Sequence, residues 1–400
     1  MSGTRRKPGR LGPFVEGYRA RLMELGYTPG TVRGMLKVLG QLGRWMDDEG
    51  VGLGELDMAA VEAFRAARRA GGDRPVASVG ELRQLVRHLR GVGVMAPEEA
   101  QRTLTPLEGL IADYRRWLVV ERDLAAPTVL RYEKLARRFL GERVAPGNER
   151  GTENLTGADV SVFLVRECDR VSLGSAKGRV AELRSLLRFL HLRGFTKRSL
   201  AESVPPVAGW RETGIPRAIS RADVERLLAC CDRSSMDGVR DFAMLMLLAR
   251  LGLRSIEISR FELDDLHWRS GELVVRGKAR RRDRLPLASD VGEALAAYLS
   301  RRGTHESRRV FLTLRAPIRP IRADLVGDVV QRACRRAGVR HVGAHQLRHA
   351  LASEMLREGA SLIDISQVLR HRDLATTAVY AKIDLGRLRE VAQPWPGAAR

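Results

Sequence analysis

The chain has 400 residues, 44% of them apolar, so it is long enough for two or three folded domains. Its 70 Lys and Arg residues exceed its 48 Asp and Glu residues, which gives a formal charge of +22. This surplus favours a nucleic acid partner over a merely solvated Arg-rich surface, because the basic residues recur along helices. No run approaches the roughly 18 apolar residues of a membrane span, and the basic N-terminus lacks the apolar stretch of a secretory signal. We expect a cytoplasmic protein that associates with nucleic acid and has no membrane partner.

The four cysteines, Cys168, Cys230, Cys231 and Cys334, lack the C-x-x-C spacing of zinc sites. Adjacent Cys230 and Cys231 cannot ligate one zinc ion in the usual way. We interpret all four as reduced packing residues and predict no metal site.

The first half of the chain shows an internal duplication of a four-helix pattern. The offset between the copies drifts from about 96 to about 101 residues, as small loop insertions would produce. Chance similarity between two stretches rich in Leu and Arg is the alternative. The matching segments are Tyr18–Leu22 with Tyr114–Leu118, Thr31-Val32 with Thr128-Val129, Val61 and Phe64 with Val160 and Phe163, and Leu82–Leu85 with Leu183–Leu186.

Proline- and glycine-rich segments divide the chain into domains. Pro97 and Pro106 bound one junction, and Val204–Pro216 (VPPVAGWRETGIP) cannot continue a helix. We predict a helical domain at residues 1–103, a second at 104–203, a linker at 204–217 and a third domain at 218–400.

The third domain is predicted to be helical with one strand pair. Leu273–Arg276, a turn at Gly277-Lys278 and Arg284–Leu287 predict a hairpin with a basic tip. The expected fold class is therefore mainly α with one small antiparallel sheet. The predicted helices are Arg221–Cys231, Phe242–Leu251, Val291–Arg301, Arg322–Ala337, His345–Glu358, Leu362–Leu369 and Ala375–Ala381.

Six residues in this domain form an ordered series with the chemistry that phosphodiester cleavage requires. Arginine forks two donors onto phosphate oxygens, and histidine holds or moves a proton near pH 7. Lysine can protonate a leaving alkoxide, and a phenol becomes a nucleophile when cations and a base lie nearby. The series is Arg254, Lys278, His345, Arg348, His371 and Tyr380.

Each member also has an ordinary interpretation when taken alone. Arg254 follows a buried helix and would merely snorkel, or project into a cleft with Glu257 holding its guanidinium. Lys278 begins a basic run that is otherwise a solvated charge cluster. His345 would belong to a surface His/Arg pair, and Tyr380 would be a half-buried aromatic at a helix end.

The order and spacing of the series resemble those of the tyrosine recombinases, or phage integrases, and most of all the Xer-type branch. The resemblance covers roughly residues 107–392. It rests on the segments Gly252–Glu257 (GLRSIE), Gly277-Lys278, His345–His349 (HQLRH), Leu369–His371 (LRH) and Thr376–Tyr380 (TTAVY).

The resemblance implies a fold and a role for each matching residue. Residues 104–203 would be a helical, SAM-like core-binding domain on DNA, and residues 218–400 the catalytic domain. Tyr380 would attack the scissile phosphate and form a 3′-phosphotyrosyl bond. Arg254 and Arg348 would clamp the phosphate, His345 would act as general base or acid, Lys278 would protonate the 5′-oxygen, and His371 would donate to the phosphate. No metal or other cofactor would be needed.

The family resemblance also implies partners. These are double-stranded DNA and a tetramer of the chain on two DNA sites, joined through a Holliday junction, in some cases with other recombinases or DNA-bending proteins. Further DNA contacts are expected from the basic residues Arg280, Arg281, Arg282 and Arg370.

The sequence departs from the family pattern at two places. Many members have glycine where this chain has Arg370, which we interpret as an extra cation near the phosphate; His349 is interpreted as structural. Residues 1–103 have no counterpart in a minimal Xer-type protein. They are predicted to be a duplicate of the core-binding domain that contacts more DNA or pairs protomers.

An apolar stripe follows Tyr380. In relatives such a helix docks on a neighbouring protomer, which we favour over packing within the chain. The stripe consists of Ile383, Leu385, Leu388, Val391 and Ala392.

Three hypotheses of function follow. The first is a bacterial or mobile-element recombinase that cuts and rejoins specific DNA sites in a tetramer. The second is a type IB topoisomerase-like enzyme that relaxes DNA as a monomer. The third is a catalytically silent DNA-binding accessory protein, which the complete residue series disfavours.

Overall fold

The computed structural model describes residues 8–71, 78–96, 105–142, 152–207, 219–277 and 282–371, together with residues 377 and 380. These residues form fifteen α-helices and one three-stranded antiparallel sheet, which confirms the predicted fold class. No helix in these ranges has both the length and the apolar character to cross a membrane. The chain divides into two compact units, residues 96–211 and residues 1–95 with 212–400. The predicted domain boundaries stay a prediction.

Four helices form the N-terminal helical domain. Thr28 caps the second of them with Pro29 at its first position, and Ser78 forms a capping box with Glu81 at the start of the fourth. The helices are α1 (Val15–Glu24), α2 (Pro29–Asp48), α3 (Met58–Ala70) and α4 (Val79–Gly91). Their core contains Tyr18, Leu22, Val32, Leu42, Phe64, Leu85 and Leu89.

Four helices also form the second helical domain. Thr105 and Thr156 cap the first and third of them. The helices are α5 (Pro106–Val120), α6 (Ala126–Gly141), α7 (Gly157–Asp169) and α8 (Leu173–Leu192). Their core contains Tyr114, Leu118, Val129, Phe139, Phe163, Leu186 and Leu190.

The residues that matched in sequence occupy matching places in the two helical domains. Each pair lies on the corresponding helix and is buried in both copies, as a duplicated four-helix pattern requires. The pairs are Tyr18 with Tyr114, Leu22 with Leu118, Val32 with Val129, Phe64 with Phe163, and Leu85 with Leu186.

Seven helices surround the small sheet in the third domain. They are α9 (Arg221–Ala229), α10 (Met236–Leu251), α11 (Ser255–Arg260), α12 (Ser289–Arg302), α13 (Ala323–Ala337), α14 (Ala344–Arg357) and α15 (Leu362–Leu369). The strands, in the spatial order β1-β2-β3, are β1 (Leu266–His267), β2 (Glu272–Arg276) and β3 (Arg282–Pro286).

Helix α10 runs through the middle of this domain. Most of its side chains are buried, and it packs against α12 and α14. Leu273 and Val275 of β2 face the same core, while the alternate residues Glu272, Val274 and Arg276 are only partly buried. This alternation agrees with a sheet that has one face on the core.

The differences from the predicted elements have local causes. Helix α10 begins at Met236, six residues before the predicted start, because the Ser235 side chain caps it. Helix α11 and strand β1 were not predicted, since six and two residues are too short to show a periodic pattern. The predicted helix Ala375–Ala381 lies mostly outside the described residues.

Candidate active site

Arg348 on α14 joins the ends of two other helices. It is 1% exposed, and its guanidinium donates to the carbonyl oxygens of Gly252, after α10, and Leu369, at the end of α15. Gly252 has φ +58°, and a Cβ there would lie 2.8 Å from Cδ2 of Leu369, so this close approach requires glycine. Nε of Arg348 has no hydrogen-bond partner among the described residues. Burial, followed by the cations Arg254 and Arg370, lowers the pKa of Arg348.

The buried carboxylate of Glu257 connects two arginines. Oε1 accepts from the Arg254 guanidinium at 2.7 Å, and Oε2 accepts from the Arg254 backbone N–H at 2.8 Å. Oε2 also accepts from the Arg370 guanidinium at 3.0 Å. Burial alone would raise the pKa of Glu257, but Arg370 and Arg254 outweigh it and the net shift is downward. Glu257 is therefore ionised and fixes Arg254, whose side chain stays 39% exposed.

Arg370 is buried, and its predicted contact with DNA stays a prediction. Its side chain is 3% exposed and is held by Glu257 and by the carbonyl oxygen of Val368 at 3.0 Å. It also ends α15 in the left-handed conformation, with φ +54°. In this structure the extra cation anchors Glu257 instead of facing solvent.

Tyr380 is almost completely buried, and two histidines contact it. Its hydroxyl lies 2.7 Å from Nδ1 of His349. Its ring is parallel to that of His371, with 6.4 Å between the centroids, and Nδ1 of His371 lies 2.7 Å from the Thr377 hydroxyl. Burial raises the pKa of Tyr380, and Arg348 opposes this only in part. The phenol is therefore protonated near neutral pH and needs a proton acceptor to act as a nucleophile.

The histidines of the site are neutral near pH 7. Burial first, and neighbouring cationic groups second, lower the pKa of both His349 and His371 to about 4. Burial, Arg348 and Arg254 also lower the pKa of His345, which is exposed on α14. The rings of His345 and His349 meet edge to face, with 4.4 Å between the centroids.

Sequence analysis missed the contact that His349 makes. The residue follows Arg348 directly and was interpreted as structural. Its spacing of four residues from His345 was the available signal, because residues i and i+4 share a helix face. The partner at Tyr380 is remote in sequence and only the fold reveals it.

The structure brings together five members of the predicted series, and the sixth lies outside the described residues. The five are Arg254, His345, Arg348, His371 and Tyr380; Lys278, Arg280, Arg281 and the apolar stripe from Ile383 to Ala392 lie outside. Arg282 is exposed at the start of β3. Within the described ranges, no group of three or more His, Cys, Asp or Glu side chains is placed to hold a metal ion. Cations and neutral imidazoles beside a phenol suit an anionic, tetrahedral group such as a phosphate diester.

Comparisons with known proteins agree with this chemistry. Residues 217–386 match the model of the phage integrase family. The chain is 40% identical, over 99% of its length and 97% of the relative, to the "Putative integrase/recombinase y4rA" of Sinorhizobium fredii. It is 28% identical to the tyrosine recombinase XerD of Listeria monocytogenes, over 71% of this chain and 97% of the relative.

A solved structure shares the fold. A lambda integrase tetramer bound to a Holliday junction matches with a TM-score of 0.53 and 15% identity, over 77% of this chain and 87% of that one. The full-length match to an integrase/recombinase, together with the family match over the domain that carries the site, shows that this chain belongs to the phage integrase family of tyrosine recombinases, enzymes that cleave and rejoin DNA.

Proposed function

We propose that Tyr380 is the nucleophile with which this site-specific DNA recombinase cleaves its target. The phenol oxygen attacks the scissile phosphate and forms a 3′-phosphotyrosyl bond, while the 5′-oxygen leaves. The same bond is attacked in reverse when a 5′-hydroxyl rejoins the strand. The observation that carries the proposal is the arrangement of Tyr380, two histidines and Arg348 at one place in the fold.

The two arginines would hold the phosphate in different ways. Arg348 is fixed by two backbone carbonyls, and its Nε–H has no partner in the part of the chain that the structure describes. Arg254 is fixed by Glu257 and keeps part of its guanidinium exposed. Rigid donors aimed at the equatorial oxygens stabilise the charge that develops on the phosphorane-like transition state.

The remaining members of the series would handle protons and hydrogen bonds. Neutral His371, oriented by Thr377, would donate to a non-bridging oxygen. His345 is exposed beside Arg348 and is placed to act as a further acid or base. Lys278, which follows β2 in the sequence, would give a proton to the leaving 5′-oxygen, which an arginine is too weak an acid to do.

We further propose that four copies of the chain act on two DNA sites and exchange strands through a Holliday junction. The lambda integrase tetramer, which shares the fold, supports this assembly. A groove of about 170 Å³ between α9, α10 and α14, with Val224, Leu347 and Leu351 in its lining, offers an apolar acceptor for the C-terminal stripe of a neighbouring copy. Other recombinases and DNA-bending proteins stay possible partners in this proposal.

Covalent capture tests the nucleophile and does not require the DNA site to be identified first. Sheared and nicked DNA from the source genome supplies unselected sites, and the nick lets the released strand diffuse away. Wild-type protein should give protein–DNA links that survive boiling in detergent, and sequencing of the captured DNA identifies the site. Tyr380→Phe should give none.

Tyr298→Phe is the matched control. Tyr298 is an equally buried tyrosine of the same domain, and its hydroxyl accepts a hydrogen bond from the Leu312 N–H at 3.2 Å. This variant should trap DNA like the wild type. Equal trapping by Tyr380→Phe would remove Tyr380 as the nucleophile. Two captured sites placed on one plasmid then test recombination, and DNA relaxation without joint molecules would contradict it.

A further inference from the structure

The short contact between His349 and Tyr380 places a base on the reacting atom. Nδ1 of His349 lies 2.7 Å from the Tyr380 hydroxyl oxygen, and Tyr380 is 1% exposed. A hydroxyl in such a dry position needs a partner for its hydrogen, because a buried hydrogen bond that is left unmade is destabilising. His349 Nδ1 is that partner when it carries no proton itself.

The opposite arrangement, with Nδ1–H donating to the phenol oxygen, would leave the phenol hydrogen without this acceptor. The Nε2 tautomer avoids this loss. Nε2 of His349 is not among the buried nitrogens that lack a partner, so it can carry the ring proton. The hydrogen bond therefore runs from Tyr380 to His349.

The groups around His349 keep it free to accept a proton. Its neighbours are His345 and Arg348 on α14, Tyr380, and His371 after α15; burial, followed by His345 and Arg348, lowers its pKa to about 4. A bound phosphate diester adds one negative charge beside Arg254 and Arg348. That charge offsets the cations and moves the pKa of His349 back toward its ordinary value of about 6.5, so the base is strongest when substrate is present.

We propose that His349 is the general base that takes the proton of Tyr380 during strand cleavage. The inference rests on the proposed role of Tyr380. As the bond from the phenol oxygen to phosphorus forms, the O–H proton passes to Nδ1. The bond from phosphorus to the 5′-oxygen breaks, and that oxygen takes a proton from Lys278. On rejoining, each proton returns by the same path, so the cycle is balanced.

Single-turnover cleavage of the nicked DNA site recovered by covalent capture tests the inference. Two variants are compared with wild type from about pH 5 to about pH 9, a range that spans the ordinary pKa of histidine. His349→Gln keeps an oxygen that can accept the hydrogen bond but cannot hold the proton, and His349→Ala removes both functions. DNA binding is measured alongside.

At neutral pH both variants should cleave about 10²–10⁴-fold more slowly than wild type, with little change in affinity. Their rates should climb about tenfold per pH unit, since hydroxide then removes the proton. The wild-type cleavage rate should fall at acid pH, where protonated His349 can no longer accept the proton. Above that range the rate should be nearly independent of pH. A wild-type rate and profile in His349→Gln would overturn the inference and leave His349 as a positioning residue.

A second measurement uses no variant of His349. Nitrogen NMR of histidine-labelled protein should show Nδ1 of His349 unprotonated near pH 7, and its resonance should shift in Tyr380→Phe, where the donor is absent. A protonated Nδ1 in the wild type would also overturn the inference. Failure of wild type to trap DNA would instead contradict the proposed function, so the two failures are distinguishable.

Discussion

Glu257 fixes the position of Arg254, and Arg370 supports Glu257 in turn. Glu257 binds the backbone N–H and guanidinium of Arg254 and also the guanidinium of Arg370. A buried carboxylate with only one partner is poorly compensated, whereas two cations keep it charged. Arg370 thus holds the residue that orients Arg254.

Replacing Arg370 with glycine tests this arrangement. Breaking a buried ion pair costs about 3–5 kcal/mol, and relief of a left-handed residue returns about 1–2 kcal/mol. The free energy of unfolding of Arg370→Gly should therefore fall by roughly 1–4 kcal/mol, as measured by urea denaturation followed by circular dichroism.

Arg357→Ala is the control for that measurement. Arg357 pairs with Glu354 at 3.3 Å on the solvent side of α14, where its side chain is 60% exposed. Such a pair contributes about 0–1 kcal/mol. An equally small effect for Arg370→Gly would mean that the buried pair does not stabilise the domain.

At this scale the sequence predicted which residues gather at the site better than it predicted the contacts that support them. The motif order identified Arg254, Arg348 and Tyr380, and the spacing of Glu257 from Arg254 predicted their ion pair, which the structure contains. The partners of Arg370 and His349 lie 113 and 31 residues away along the chain. Such contacts depend on how α10, α14 and α15 pack, and local patterns carry no information about that.

At the scale of elements, the paired strands β2 and β3 flank Lys278 in the sequence and would present it to the DNA. The two strands pair in register from Glu272 with Pro286 to Arg276 with Arg282. The register ends with Arg276 opposite Arg282, so Lys278 lies in the segment that connects the two strands. The predicted hairpin is therefore confirmed, while the placement of Lys278 stays a prediction.

Lys278→Ala should slow cleavage of the captured DNA site by about 10²–10⁴-fold, because the 5′-oxygen loses its acid. DNA affinity should change little, since one cation among many adds little to binding. Lys278→Arg should be almost as slow, because guanidinium hardly releases a proton. Rapid-quench kinetics and a binding titration measure the two quantities.

Arg282→Ala supplies the comparison for that pair of measurements. Arg282 is an exposed cation at the start of β3. It has no role in the proposed proton transfers. It should leave the cleavage rate of bound DNA unchanged. An affinity loss in Lys278→Ala that matches its rate loss would contradict the acid role.

Two helix starts followed the sequence at capping serines. Ser220 and Ser361 cap α9 and α15 at the predicted starts. Elements of two to six residues, such as β1 and α11, were not predicted. They are held by tertiary contacts and are too short to show a repeating apolar pattern.

At the scale of the whole molecule, the charge of +22 is spread along the whole chain, and both helical domains share in it. Two exposed basic residues recur at equivalent places in them: Lys37 with Lys134, and Arg87 with Arg188. Each lies five residues after a matched buried residue of its helix. If both domains bind DNA, both pairs should contribute to counterion release.

Salt titration of binding to the captured DNA tests this expectation. With ~6–10 phosphate contacts, affinity should fall ~10³–10⁵-fold between about 50 and 200 mM salt. The doubly substituted variants Lys37→Ala/Arg87→Ala and Lys134→Ala/Arg188→Ala should each reduce the logarithmic slope by about 2. A reduction confined to the second variant would show that the N-terminal helical domain does not contact DNA.

Tyr380 belongs to a small cluster with Ala352, Leu356, Ile365 and Leu369, apart from the main core of its domain. Helix α14 contributes to both, with Leu347 and Ala350 in the larger one. Local opening of a protein requires only the free energy of the contacts that are lost. If Tyr380 is the nucleophile, melting this one satellite cluster would release or redirect it, while α10 and the sheet keep their packing. The N-terminal part of α14 would stay packed in the main core, while its later residues belong to the cluster that opens.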